Sequence, residues 1–585
     1  MFKLFKYTKA KEWLLLFLSL LFVCGQVYCN VAIPNCTLEI SNMLISISTI
    51  VWKDMLLACL KMLAFAVGTI ICSICVNFII TYVITSLLAR VRGKIFEKVN
   101  AFSFQEINHF SIPSLITRCT NDITQVQQVL TMLLTMGLTA PLTAVYAIIN
   151  IVKISSQYGV GKLALINVFS VLAILIVVLV IICTVIPKFK KIQKATDKLN
   201  LVTRESLTGV KVVRANGSEG KQLEKFEKTN KEYSKLDLFT SIVMSAVDPA
   251  LSLIMQGTSL AIVWGIGLLM GENPSSITVM NTFTQLSIYI IMGFTSLSII
   301  FTMIPRGSVS GRRIREILKT PLALADGSVS ESSSAGARGS IRFEDVSFRY
   351  PNSNADVLEH ISFEAKPGET VAFIGSTGSG KSTLINLVPR FYDCTEGKIF
   401  VNGLEVKEFS QKALHDIIGY VPQKGLLFSG TVEDNVRYGK EDASQDEIEK
   451  AIEISGSKFV YNFPEGLKHQ ISQGGKNVSG GQRQRLSIAR AIIKRPDILI
   501  FDDSFSALDY KTDKVVRKRI NKEYKNTTKL IVAQRIGTIM NADKIIVLDE
   551  GKIVGIGTHQ ELLKKCKVYK QIALSQLSEE ELKNE

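Results

Sequence analysis

An apolar run, Ile498-Leu499-Ile500-Phe501, ends in two acids, Asp502 and Asp503, and it follows Gly375-Ser376-Thr377-Gly378-Ser379-Gly380-Lys381-Ser382-Thr383 by about 120 residues. The glycine-rich stretch fits G-x-x-x-x-G-K-[ST]. It lies between Val371 to Ile374, which predicts a strand, and a helix expected over 382–391, the context that makes such a match meaningful. Glycines let backbone N–H groups wrap phosphates, Lys381 reaches the terminal phosphates, and the Ser382 hydroxyl with Asp502 offers hard oxygen ligands to Mg²⁺. The chain is therefore expected to hold a nucleoside triphosphate with Mg²⁺.

A third motif, Ser479-Gly480-Gly481-Gln482-Arg483-Gln484-Arg485, stands some 20 residues before Asp502. Together the three resemble the nucleotide-binding domain of ATP-binding-cassette (ABC) transporters, over residues 341 to about 575. The resemblance implies ATP held between two such domains, by the phosphate loop of one and the Ser479 to Gln482 signature of the other. It further implies that Tyr350, in Phe348-Arg349-Tyr350, stacks on adenine. Gln423, in Val421-Pro422-Gln423, would touch Mg²⁺ and report to the membrane part, and Asp509 would carry communication between domains.

Composition sets the outer limits. At 585 residues the chain exceeds one core, and 47% hydrophobic residues with a mean hydropathy of +0.25 point to a membrane protein. The net charge of +16 invites a nucleic-acid reading, but much of the excess flanks apolar runs and reads as membrane topology. Six long stretches lack Asp, Glu, Lys and Arg: 13–38, 62–89, 123–152, 163–187, 249–271 and 273–305. Each exceeds the roughly 20 residues that span hydrocarbon. The loops from Arg90 to Asp122 and Lys188 to Lys235 carry five and thirteen Lys or Arg residues; the alternate loops hold few, Lys53, Lys153 and Lys162 among them. That asymmetry puts the long loops, the N-terminus and the ATP domain in the cytoplasm of a cytoplasmic-membrane protein.

The expected fold is thus an α-helical six-span membrane domain with long cytoplasmic helical extensions, followed by an α/β phosphate-loop domain. We assign the membrane domain to 1–325, a Ser/Gly/Ala-rich linker to 326–340, the nucleotide-binding domain to 341–578 and a tail to 579–585. Residues 1–12 read as a short amphipathic segment on the membrane surface, Lys188 to Asp237 as helix, and Glu272 between Gly271 and Pro274 as a tight outer turn. In the family it resembles, such extensions end in short helices that press on the ATP domains, with 110–122 and 204–217 as candidates here. The ten cysteines form no disulfide framework, and Cys72-x-x-Cys75 falls inside an apolar span, where small apolar packing is its simplest role.

Two positions depart from the resembled family. It carries Glu after the Mg²⁺-binding Asp, to orient or deprotonate water, and a His about thirty residues later at the γ-phosphate; here these are Asp503 and Gln534. Asp withdraws the carboxylate by roughly 1.5 Å, a displacement that costs about a hundredfold in rate. Gln534 can donate a hydrogen bond but can never be cationic. Both changes weaken hydrolysis and leave binding intact, while the signature, which serves the opposite site, is untouched. The pattern resembles the degenerate-site subunit of a heterodimeric multidrug exporter: an ATP-hydrolysing translocase whose hydrolysis falls mainly to the composite site using a second half-transporter's catalytic residues. The expected substrates are small amphiphiles, with membrane lipid as surroundings and no nucleic acid. Alternatives are a lipid or peptide translocator of the same architecture and, further off, a slow homodimer or a non-transporting regulator.

Overall fold

The computed structural model describes residues 1–45, 52–269, 274–330, 338–351 and 353–577. The turn at Glu272, the middle of the linker and the tail lie outside them. By packing, the chain forms two units: Met1–Asn100 with Ile112–Thr320, and Ala101–Ser111 with Pro321–Glu585.

The first unit is helical. After a 3₁₀ turn at Phe2–Tyr7, whose Leu4 is buried, come α1 (Ala10–Ile45) and α2 (Trp52–Asn100). The short helix α3 (Phe104–Phe110) belongs to the second unit. The first unit resumes with α4 (Ile112–Cys119), α5 (Asn121–Gln157), α6 (Gly161–Thr208), α7 (Val210–Ala215), α8 (Glu219–Ser245), α9 (Val247–Leu269) and α10 (Met280–Lys319). Six stretches within these helices are long and apolar enough to cross a membrane. At most half of each is buried, and large apolar side chains are exposed along them, as on a span that faces lipid. A buried cluster that includes Val31, Ile151, Ile262, Phe283 and Leu286 joins α1, α5, α9 and α10. Helices α5 and α10 approach closely because Gly293 offers no Cβ: one built there would stand 2.9 Å from Ala144 Cβ and 3.0 Å from Ala140 O. The helix expected over Lys188 to Asp237 is broken at Gly209 and again at Asn216-Gly217, where Gly217 takes φ +55°. Glycine's freedom at positive φ ends the turn there.

In the second unit, β1 (Ile341–Phe348), β2 (Leu358–Ala365), β4 (Glu396–Val401) and β5 (Leu404–Glu405) make an antiparallel sheet of order β2-β1-β4-β5. A second sheet runs β12-β11-β3-β10-β9-β6, from β3 (Thr370–Gly375), β6 (Ile418–Val421), β9 (Ile498–Asp502), β10 (Thr528–Val532), β11 (Lys544–Asp549) and β12 (Lys552–Gly557); β7 (Gly430–Thr431) pairs with β8 (Gln470–Ile471) apart from it. All of the second sheet except β12 is parallel. Its central strands β9 and β10 are buried along their whole length, as strands rich in Ile, Leu, Val and Phe and covered on both faces should be. The covering helices are α11 (Lys381–Leu387), α12 (Gln411–Asp416), α13 (Val432–Arg437), α14 (Gln445–Ile454), α15 (Gly480–Ile492), α16 (Tyr510–Glu523), α17 (Ile536–Ile539), α18 (His559–Lys565) and α19 (Lys567–Leu574).

Candidate active site

Four neighbouring parallel strands, β3, β10, β9 and β6, deliver the predicted residues from their C-terminal ends, where open α/β sheets bind ligands. Val532 pairs with Asp502 and Phe373, and Val421 with Phe501. The residues that follow each strand, Gly375 to Thr383, Gln534, Asp503 and Gln423, therefore meet at one edge.

The phosphate loop leaves β3 at Gly375, φ +159°, where a Cβ would lie 2.0 Å from Leu548 O. Gly378 and Gly380 also take positive φ, at +87° and +92°. Lys381 folds back into the loop and donates to Gly375 O (3.0 Å), Ser376 O (2.6 Å) and Ser379 Oγ (3.2 Å). Burial lowers its pKa, against the pull of Asp503 and Asp502. Ser382 donates to Asp502 Oδ1 at 2.7 Å. A hydroxyl and a carboxylate so placed are the oxygen donors Mg²⁺ selects, so the residues present fit the ion. Thr383 and Tyr350 share a hydrogen bond of 3.0 Å between hydroxyls, and Tyr350 is half-buried with Phe348 edge-on at 4.9 Å.

Asp503 is unusual in its backbone. It takes φ +46° immediately after β9, and its N–H donates to Val532 O at 3.0 Å. Left-handed backbone is costly for most residues, least so for Asp and Asn. Its Oδ2 accepts from two amides, Gln423 Nε2 at 3.1 Å and Gln534 Nε2 at 2.9 Å. Burial raises the pKa of both Asp502 and Asp503. The loop after β10 is itself fastened: Gln576 donates to Gln534 O (2.7 Å) and accepts from Ile536 N (2.9 Å).

The signature stands apart from this cluster. Ser479 caps α15, its hydroxyl accepting from Gln482 N (3.3 Å) while Gln482 Oε1 accepts from Ser479 N (2.8 Å), a capping box. Gly480 is exposed and Gly481 half-buried, so the start of α15 faces outward. Within α15, buried Gln484 holds the Gln423 loop by accepting from Gly425 N and donating to Pro422 O, both at 2.9 Å. Asp509 caps α16 by accepting from Thr512 N at 2.9 Å, bonds that lower its pKa.

Sequence reasoning missed Tyr420, which donates to Asn386 Oδ1 (2.9 Å) and faces Asp502 Oδ2 at 3.5 Å, and it missed Gln576. It also placed the first loop's contact too late, at 110–122. The segment that packs with the second unit is 101–111, carrying α3, and its signal was the capping box Ser103-x-x-Glu106. Glu106, buried, also accepts from Ala323 N.

The profile of the ABC transporter transmembrane region matches residues 16–294, and the ABC transporter profile matches 358–506. An uncharacterized ABC transporter ATP-binding protein of Mycobacterium tuberculosis is 38% identical over 490 residues, 83% of each chain. Another from Bacillus subtilis is 35% identical over 541 residues, 91% of this chain and 90% of the relative. A probable multidrug resistance ABC transporter ATP-binding/permease protein of Bacillus subtilis is 36% identical over 378 residues, 64% of each. The structure of a bacterial Atm1-family ABC exporter with ATP bound shares the fold, with TM-score 0.78 over 97% of this chain and 98% of that one, at 22% identity.

The chain belongs to the ABC transporter family. It is a multi-pass membrane protein with its transmembrane and ATP-binding parts fused in one polypeptide, and it shares the fold of the solved exporter. Membership implies ATP binding and hydrolysis, with Mg²⁺.

Proposed function

We propose that the chain exports drugs or other amphiphilic compounds as one subunit of a heterodimer, and that its own ATP site is catalytically degenerate. The observation that carries this is the double tether on Asp503 Oδ2, where Gln423 and Gln534 both donate to one short carboxylate. A base that must take a proton from water needs a free, well-reached oxygen. The name of the multidrug-type relative in Bacillus subtilis supports the substrate class.

In this reading Tyr350 stacks on adenine, Gly375 to Thr383 wraps the phosphates, and Lys381 places its charge against the terminal phosphate. Ser382, Gln423 and Asp502 hold Mg²⁺, which neutralises phosphate charge when bound. The exposed start of α15 at Ser479 to Gln482 presents its N–H groups to ATP on the partner's loop, where the helix end favours anions. Asp509 lies beside that interface. Membrane orientation follows the loop charges, with the N-terminus and the ATP domain cytoplasmic, and the boundaries are 1–325, 326–340 and 341–578.

The test uses the complex with its partner, in a Ser479→Arg background that silences the opposite site. Adding Asp503→Glu with Gln534→His should raise single-turnover hydrolysis at this chain's own site by about a hundredfold. No rise would refute the degeneracy. A protein that purifies as a fully active homodimer would refute the heterodimer.

A further inference from the structure

Phe391 and Tyr392 follow α11 through a turn that has no part in the motifs. Arg390, buried at 3% exposure and in left-handed backbone at φ +54°, bends the chain there. Its guanidinium is held by both oxygens of Asp393, at 2.7 and 3.3 Å, and by Ala325 O at 3.0 Å. A strained residue persists only where its surroundings fix it. The bend sends two consecutive aromatic rings in different directions.

Both rings meet α3. Phe104 lies 5.0 Å from the Phe391 ring and 6.1 Å from the Tyr392 ring, and Asn108 Nδ2 donates to the Tyr392 hydroxyl at 3.2 Å. Beyond α3 the two rings part. Tyr392 stands edge-on to Tyr350 at 5.4 Å, and Tyr350 bonds Thr383 in the phosphate-loop helix. Phe391 stands edge-on to Tyr420 at 5.4 Å, and Tyr420 reaches Asn386 and Asp502. The ring-to-ring contacts are all edge-to-face or tilted, where a displaced ring loses attraction steeply.

We propose that Phe391 and Tyr392 are positioning residues forming an aromatic fork, through which α3 sets the adenine side of the ATP site by way of Tyr350 and the Mg²⁺ side by way of Tyr420 and Asp502. This route bypasses Gln423. Because both branches start at α3, one short helix has two separate holds on one nucleotide. The adenine branch rests on the reading of Tyr350 given above; the Mg²⁺ branch rests on that of Asp502.

The experiment measures equilibrium binding to the full-length transporter in lipid nanodiscs, with ATP and inorganic tripolyphosphate as probes and Mg²⁺ titrated. Tyr392→Leu should weaken ATP by about threefold to tenfold without changing tripolyphosphate binding, the size of one aromatic contact. Combined with Tyr350→Leu it should add nothing further, since both act on one ring. Phe391→Leu should raise the Mg²⁺ needed for half-maximal ATP binding, leaving ATP affinity at saturating Mg²⁺ unchanged. Phe104→Ala should produce both effects. Should Tyr392→Leu fail to fold, Asn108→Ala frees only the hydroxyl and should weaken ATP by about twofold. Additive losses from Tyr392 and Tyr350, or a folded Phe104→Ala protein with neither effect, would overturn the fork. If Tyr350→Leu itself leaves ATP affinity unchanged, the adenine reading falls, and the Phe391 branch alone then decides the fork.

Discussion

Asp503 combines a short side chain, left-handed backbone and two amide donors on one oxygen. The backbone favours Asp over Glu locally, so restoring Glu alone works against φ +46°, and the gain in hydrolysis should need Gln534→His beside it. Gln576 governs the same place from 42 residues away. Its amide closes two hydrogen bonds on the loop that carries Gln534, and Gln576→Ala should cost about 1 kcal/mol of stability. Amide exchange should quicken at 534–536 and leave β10 protected. The phosphate loop, the signature and the paired acids were legible because each is written within a few consecutive residues. Tyr420, Tyr392 and Gln576 were not, since their partners are distant in the chain and nothing in their own neighbourhoods marks them.

Capping decides where the functional helices begin. The Ser479 and Gln482 box starts α15 at the signature, so Ser479→Ala should do two things: destabilise the domain by about 1 kcal/mol and suppress hydrolysis at the opposite site. Thermal unfolding and steady-state ATPase separate the two. Next to the fork, α12 carries His415, whose Nε2 faces Pro389 O at 2.9 Å and whose ring lies 6.0 Å from Phe391. Burial holds its pKa below the ordinary 6.5 in spite of that carbonyl, with Lys494 pressing the same way and Asp416 and Asp326 opposing. As pH falls below 6.5 the unfolded chain takes up the proton first, so stability is complete above that value and declines beneath it until the folded pKa is passed. Denaturation at about pH 7.5 and about pH 5.5 should show the loss, and His415→Gln should reduce it. Helix α3 was hidden from sequence reasoning by its length. Seven residues carry no helical periodicity, and only the box at Ser103 and Glu106 announces them.

At the scale of the whole chain, charge-free stretches located the spans but not the helices. Helix α2 has 49 residues, roughly 74 Å at about 1.5 Å each, well over twice the hydrocarbon thickness. Charged residues past each span simply continue it, and the prolines at 34, 141, 187 and 305 lie inside helices. The first unit is also tied at its start: Arg90 of α2 pairs with buried Glu12 of α1 and donates to Tyr7 O at 3.2 Å, while Lys94 sits 4.7 Å over the Tyr7 ring. Arg90→Met should destabilise the protein by about 3 kcal/mol, because it strands the carboxylate, and Glu12→Met added to it should recover most of the loss. Thermal unfolding in nanodiscs reads both.

The second unit is discontinuous in sequence, since Ala101–Ser111 packs with residues that begin more than 200 positions later. A soluble fragment begun at Pro321 would lack Phe104 and Asn108 and bare the rings of Phe391 and Tyr392 to water. Such a fragment should clump, and a synthetic peptide of residues 101–111 supplied in trans is the natural remedy.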